Sequence, residues 1–475
     1  MKSVREVEDA VRRHQWPLPS AQLRSRILSD AVVSDPPRRV ERTEVPVFGA
    51  PSRSRLHLAA TLVISIVVML GGCTGADLWA DRQVEAEITR LERRYGSLDK
   101  ATMQVPAVPA GENRAEVARA AAALMVEPTS AEWRALYEAR KASTVPSALG
   151  AFIQSSDAAV RAAHGISERR QSNWGVDYEH DGERPAYLQI RTLSDAIWVS
   201  ALTDIEAGRP DDAATKTASG LALAASLRQE PDLLAQLIRL SVFNSQISGL
   251  RGLIMNTEPS RVVLGELAAR LAESRGGDPM RVGLLGELKQ AHAVFTRMER
   301  GDIDGRLFRN LYPASWLQLP ESWAVPLVRI GRPIVRLAHA RYLGRMADLI
   351  ASQTGPRPRA ALPEPEPAQR WNVANRLVDK FISGIERSIE TGDDYFSALG
   401  LAEIAVALRR YRLDDGAYPD DLAALVPRYL PSLPNDPYTG RRPEYARSAA
   451  GFTLRAARDG SATSDWWQLE WNVPR

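Results

Sequence analysis

The residue types best suited to chemistry gather in one stretch, Asn173 to Pro185, NWGVDYEHDGERP. Asp177 with Glu179, and Asp181 with Glu183, give paired carboxylates. A glycosidase needs one such group as acid and a second as base or nucleophile. Trp174, Tyr178 and His180 stand among them and suit a sugar or an ion. The competing reading is a solvated surface loop, the default for a polar connection. The six histidines, His14, His57, His164, His180, His292 and His339, contain no HExxH pair. No GxxxxGK(S/T) phosphate loop, no GxGxxG after a strand and no GxSxG elbow occurs. The single cysteine, Cys73, excludes an intrachain disulfide and a cysteine-based zinc site. Motifs alone therefore assign no catalytic residue and no cofactor.

One element divides the chain that must position these residues. Leu56 to Ala76, LHLAATLVISIVVMLGGCTGA, carries no Asp, Glu, Lys or Arg. As a helix rising about 1.5 Å per residue it covers roughly 30 Å, the hydrocarbon thickness of a bilayer. Arg53 and Arg55 precede it; Asp77, Asp81, Glu85 and Glu87 come after it. The positive-inside rule then makes the N-terminal arm cytoplasmic and the bulk extracytoplasmic, which places the protein in a bacterial inner membrane. Of the 475 residues, 25% are charged and 44% hydrophobic, an ordinary globular balance, and a net charge of +3 indicates no nucleic-acid surface.

Helical periodicity dominates the remainder of the chain, so the expected fold class is mainly α, with one transmembrane helix. The expected organisation is a basic, partly disordered cytoplasmic arm (1–54), a transmembrane helix (55–76) and a juxtamembrane helical stalk (77–98). Val84, Ile88, Leu91 and Tyr95 form the stripe of that stalk. An extracytoplasmic α-helical bundle or solenoid-like domain spans 112–353. Within it GENRAEVARAAAALMVEP, a helix started by Thr129-Ser130, TLSDAIWVSALTDIEAG closed by Gly208, DDAATKTASGLALAASLRQ opened by Pro210, and PDLLAQLIRLSVFNSQISGLRGLI succeed one another. Leu234, Leu237, Ile238, Ser241, Val242 and Ile247 are the expected inward face of the last. The Trp- and Pro-rich run 307–335 reads as packing or a groove lining. Residues 354–369, TGPRPRAALPEPEPAQ, form a Pro-rich linker. Residues 370–475 hold a helix from Arg370 to Ile389 with Gly392 after it, a second helix from Tyr395 to Arg412 and a small α+β domain. Asp414-Asp415-Gly416 stops the second helix, Asp420 caps a short helix DLAALV, and Pro434 to Gly440 is turn chemistry. Strands are expected at Glu444–Arg447, Gly451–Ala457 and Trp466–Trp471.

Four stretches resemble known families. ALRRYRLDDGAYPDDLAALVPRYLPSLPNDPYTGRRPEY, then GFTLRAARDG, resembles the C-terminal domain of the major pseudopilin of bacterial type II secretion over about 65 residues. The shared order is helix, Asp-Gly, Tyr-Pro, Leu-x-x-Leu, Leu-Pro, Asp-Pro, Gly, Tyr, strand, Asp-Gly. No prepilin leader precedes the matching helix, so assembly into a pilin filament is not expected. The resemblance implies a calcium loop at RDGSATSD, with Asp459 and Asp465 as hard oxygen ligands. The alternative for that loop is a solvated hairpin corner at Asp459-Gly460. The wider chain, including SLRQEPDLLAQLIRLSV, is similar to uncharacterised bacterial single-pass membrane proteins. PLPSAQLRSRILSDA is similar to the tract before the membrane helix of some anti-sigma-factor-like proteins, whose zinc-binding His and Cys are absent here. Leu70-Gly71-Gly72-Cys73 resembles a lipobox, which implies lipidation at Cys73; the arm of about 55 residues is longer than a secretory n-region. The plain alternative for Cys73 is a small apolar helix residue.

The expected function is a membrane-anchored envelope protein that binds or scaffolds. Its expected partners are the lipid bilayer and proteins of a secretion or pilus-like system, with no nucleic acid. The alternatives are an extracytoplasmic hydrolase-like enzyme using the 173–184 loop, and a transmembrane regulator acting through residues 1–54.

Overall fold

The structure is a computed structural model. It describes residues 53–109, 111–142, 144–302, 331–352, 373–382, 385–448, 451–457 and 469–473. Helix α1 runs Arg53–Tyr95. Residues 1–52 of the arm, most of the Trp/Pro-rich run, the 354–369 linker, and Asp459 and Asp465 lie outside the described residues. The side chains of 53–73, Cys73 included, lie outside them too. Among the described residues no helix is long and apolar enough to cross a membrane. Internal contacts divide the chain into Met1–Val68 and Met69–Arg475, and the helix packing belongs to the second unit.

That unit is built from helices α2 (Arg114–Ala123), α3 (Ser130–Ala142), α4 (Gly150–Ala163), α5 (Tyr187–Glu206) and α6 (Pro210–Ser226). Next come α7 (Leu233–Asn256), α8 (Arg261–Ser274), α9 (Pro279–Arg300), α10 (Arg332–Ser352), α11 (Val373–Ile382) and α12 (Ile385–Asp415). The local signals for these helices are strong. Thr129 and Glu132 form a reciprocal capping box before α3, with Thr129 N–H donating to Glu132 Oε2 at 2.7 Å. Pro210 opens α6, and Asp232 and Asp278 cap α7 and α9 by accepting from backbone N–H groups.

Helices α5, α6 and α7 form the centre. Their burial is nearly all round, not a stripe: Ala213 to Ser226 is buried except at Thr215 and Lys216. Small residues allow this close approach. A side chain at Gly220 would meet Gln246 of α7, and one at Gly249 would come within 3.1 Å of the Trp198 ring. Helix α12 lies against α7 and α8, and α9 against α7 and α10. At the C-terminus β1 (Glu444–Ser448), β2 (Gly451–Arg455) and β3 (Glu470–Val473) make an antiparallel sheet in that order, with Leu454 opposite Trp471 and Phe452 opposite Val473. Phe452, Leu454, Trp471 and Val473 point inward, and Tyr418 meets Phe452 edge-on at 4.9 Å. The protein is thus mainly α-helical with a small C-terminal three-stranded antiparallel sheet.

Several local expectations change. Helix α12 begins at Ile385, ten residues before Tyr395, and passes straight through Gly392. That glycine is a site of close approach to Met280, not a helix stop. Asp421, not Asp420, caps the short helix at Leu422, which is 3-10, and Asp420 pairs instead with Arg447 at 2.6 Å. Leu234 is 51% exposed, because Asp232 caps α7 and turns its second residue outward. Among the described residues the last strand covers 470–473, with Trp471 and Val473 inward, and 466–468 of the expected range lie outside them.

Candidate functional site

The 173–185 loop is anchored by alternate residues. Ser172, Trp174, Val176 and Tyr178 are buried, while Gly175, Asp177, Glu179, His180 and Asp181 face solvent. The inward set is held by hydrogen bonds. Trp174 Nε1 donates to Ser226 O at 3.0 Å, and the Tyr178 hydroxyl donates to Glu230 Oε2 at 2.6 Å. Arg184 Nε donates to Asp232 Oδ2 at 2.9 Å and its Nη2 to Gln290 Oε1 at 3.1 Å, which ties the end of the loop to α7 and α9. The outward carboxylates close local contacts. Asp177 accepts from Gln104 Nε2 at 3.1 Å and His180 Nδ1 lies 2.9 Å away, while Asp181 pairs with Lys100. The backbone and side-chain hydrogen bonds of His180 lower the Asp177 carboxyl below its usual value. It is therefore ionised at neutral pH and unsuited to deliver a proton. Asp177 and Asp181, one from each pair, latch the loop to Gln104 and Lys100.

The perturbed carboxyls lie deeper. Burial raises Glu230, against the pull of its bonds from Tyr178 and Trp174. Burial and the charge of Asp232 push Glu287 up to about 7, with Arg184 opposing. These residues surround the inner end of the loop.

Beside them is an open groove of about 620 Å³. Residues 102–106, the α6–α7 connector at Arg228, Gln229 and Pro231, the α8–α9 connector at Gly276-Gly277, and the α9 face from Val282 to Lys289 line it. Its walls are largely apolar. Its charges are Arg228 and Lys289, and no carboxylate lines it. The Arg228 guanidinium lies 3.5 Å from Glu273 O at the end of α8. Lys289 Nζ donates to Thr102 Oγ1 at 2.7 Å, and burial lowers its ammonium while Asp99 opposes that shift.

A third cluster joins α9 to α10. His339 Nδ1 is 2.7 Å from Glu299 Oε1, and His339 Nε2 is 3.0 Å from His292 Nδ1. With both rings neutral, His339 donates to the carboxylate and accepts from His292. That leaves the second nitrogen of His292 as the accepting end of the hydrogen-bonded relay. His339 also stacks on Phe295 at 4.9 Å. Arg336 reaches Asp77 at 3.0 Å and Asp81 at 2.9 Å, with Glu299 at 3.6 Å. Burial and the neighbouring His339 push His292 down to about 4.

Among the described residues no group of three or more His, Cys, Asp or Glu side chains is arranged to hold a metal ion. The calcium candidates Asp459 and Asp465 lie outside the described residues, and so does the side chain of the lipidation candidate Cys73. The groove and the His292–His339–Glu299 relay were not visible in the motifs. His292 and Glu299 are seven residues apart on one helix face, a spacing that sequence reading could have marked. His339 stands 47 positions from His292 on another helix. Comparison of the chain with protein-family models, curated proteins and solved structures found no match.

Proposed function

We propose that this chain is a membrane-anchored envelope protein whose extracytoplasmic bulk binds or scaffolds, in the setting of a secretion or pilus-like system of the bacterial inner membrane. The observation that carries the binding role is the groove between the 102–106 segment and α9. It is concave and apolar, with few polar groups, the usual composition of a ligand site. Its walls come from three connectors and one helix face, so its shape is fixed by the helical core. The membrane setting rests on Leu56–Ala76 and its charged flanks, and the secretion setting on the C-terminal resemblance.

The test is affinity capture of the full chain solubilised from membranes, compared with Leu285→Trp, which fills the groove. A secretion or pilus component recovered by the wild type and lost with Leu285→Trp supports the reading. Recovery of no such component, or equal recovery by both, overturns it.

A hydrolase-like enzyme is the second reading, and the relay favours it. The chain Glu299–His339–His292 holds His292 neutral, pushed down to about 4, with its second nitrogen able to accept a hydrogen bond from a substrate group. His292→Gln would abolish such an activity while leaving groove binding intact.

A further inference from the structure

The groove offers more than shape, and its ligand class can be narrowed if the proposed binding role holds. A peptide strand laid along residues 104–106 would need free backbone groups there. Most are already taken. Gln104 N–H donates to Ala101 O at 3.4 Å. The carbonyls of Val105 and Pro106 both accept from Asn173 Nδ2 at 2.9 Å. Pro106 has no N–H to give. The wall is therefore apolar surface, not an open sheet edge.

Both charges that line the groove are positive, while Asp99 acts on Lys289 from outside the lining. Among the described residues neither Lys289 nor Arg228 pairs with a carboxylate: Lys289 bonds a hydroxyl, and Arg228 approaches a main-chain carbonyl. Behind the α8–α9 connector a third cation, Arg239, is buried with only neutral partners: Gln236, the carbonyls of Ser274 and Gly276, and the Tyr395 hydroxyl. A partly desolvated cation whose partner is neutral favours an incoming anion. Along α9, Val282, Leu285 and Lys289 share one face, and the rise from 282 to 289 is about 10 Å. That is the reach of a chain of roughly eight carbons.

We propose that this groove binds a single-chain amphiphile with an anionic head, its carboxylate or phosphate at Lys289 and its hydrocarbon along Leu285 and Val282. Arg228, on the α6–α7 connector, adds positive potential to the groove. Fatty acids and alkyl phosphates share this chemistry.

The test uses the full chain in nanodiscs of zwitterionic phospholipid and an octanoate carrying a diazirine at its far end. Labelling on irradiation is mapped by mass spectrometry. The expected label falls on peptides containing residues 103–106 and 282–289. Octanoate and octyl phosphate should displace it, and the better competitor names the head group. Octyl glucoside and octyltrimethylammonium should not displace it. Lys289→Gln should raise the probe concentration for half-labelling about tenfold, the loss of one charge-assisted contact. Lys289→Arg should restore it. Equal displacement by octyl glucoside, or unchanged labelling of Lys289→Gln, overturns the anionic head and leaves groove binding standing. Displacement only by a short apolar peptide overturns the amphiphile in favour of a polypeptide. No groove labelling at all overturns the proposal, while the Leu285→Trp capture still judges the binding role separately.

Discussion

On one helix, two side chains respond to acid in opposite senses. His292, facing His339, Glu299, Glu92 and Asp99, is pushed down to about 4 from the ordinary histidine value of 6.5. The unfolded chain therefore binds its proton first, and the stability held by neutral His292 is present above about 6.5 and lost as pH falls towards 4. Glu287, facing Asp232, Arg184 and Tyr342, is raised from 4.5 to about 7. Its neutral form is the one the fold prefers, so its contribution is present below about 4.5 and lost as pH rises through 7. Between pH 4.5 and 6.5 the two slopes oppose. Substitution should separate them. Relative to wild type, Glu287→Gln should gain stability as pH rises from 4.5 to 7, by about 2–3 kcal/mol in all. His292→Gln should gain relative to wild type as pH falls from 6.5 to 4. Urea midpoints at half-unit pH steps check both, and parallel curves for wild type and variants would remove these groups as the cause. At this scale the sequence was informative only where chemistry is local. The outward Asp177 and Asp181 stood out as carboxylates in a run. Glu230, Glu287 and the His292–His339 pair acquire their character from burial and from residues distant in sequence, on the 173–185 loop, the α6–α7 connector and α10, which no spacing rule reaches.

Helix ends and strand parity were legible because their signals are short-range. Gly208 and Gly416 take positive φ, +68 and +79, just past α5 and α12, where a residue with a Cβ would be strained. Gly392, expected just past a helix, lies inside one for the opposite reason, since its role is set by what passes beside it. A Cβ on Gly392 would run into the side chain of Met280. A Cβ on Gly286 would overlap the backbone carbonyl of Pro231, in the connector that walls the groove. The two sites therefore differ in what can yield. At Gly392 the atoms met are Met280 Cγ and Cβ, which can yield only by a change of the Met280 rotamer, so Gly392→Ala should cost about 1–2 kcal/mol, partly offset by better helix propensity. The Pro231 backbone has no such freedom, and Gly286→Ala should cost about 2–4 kcal/mol. Chemical denaturation of both variants checks the order, and a milder effect at Gly286 than at Gly392 would show that the connector is not held against α9.

For the molecule as a whole, the mainly helical class and the small sheet near the end were legible from periodicity, which reports each element alone. How the elements meet was not. The rhythm of Val84, Ile88, Leu91 and Tyr95 suggested a stalk, and it is the inner face of α1: Val84 and Leu91 are buried, and Ile88 and Tyr95 lie against the core. One residue does much to fasten it. Arg336 of α10 is buried and spans Asp77 and Asp81 of α1 with two guanidinium nitrogens, and also reaches the Asp77 carbonyl at 3.3 Å. Through Glu299 the same guanidinium adjoins the histidine relay. Removing both aspartates would leave a buried cation with one charged partner, Glu299 at 3.6 Å, beside the Asp77 carbonyl, and breaking a buried pair costs more than the pair contributes, because the remaining charge is undercompensated. Asp77→Asn with Asp81→Asn should therefore release the first turns of α1 beyond the proposed membrane span. Amide hydrogen exchange over residues 77–91 should quicken by about tenfold or more, while α5, α6 and α7 keep their protection. High salt should not reproduce the effect in the wild type, since a buried pair is weakly screened. If exchange over 77–91 is unchanged in the double variant, the apolar face at Val84 and Leu91 suffices to hold α1, and Arg336 belongs to the relay rather than to the anchor.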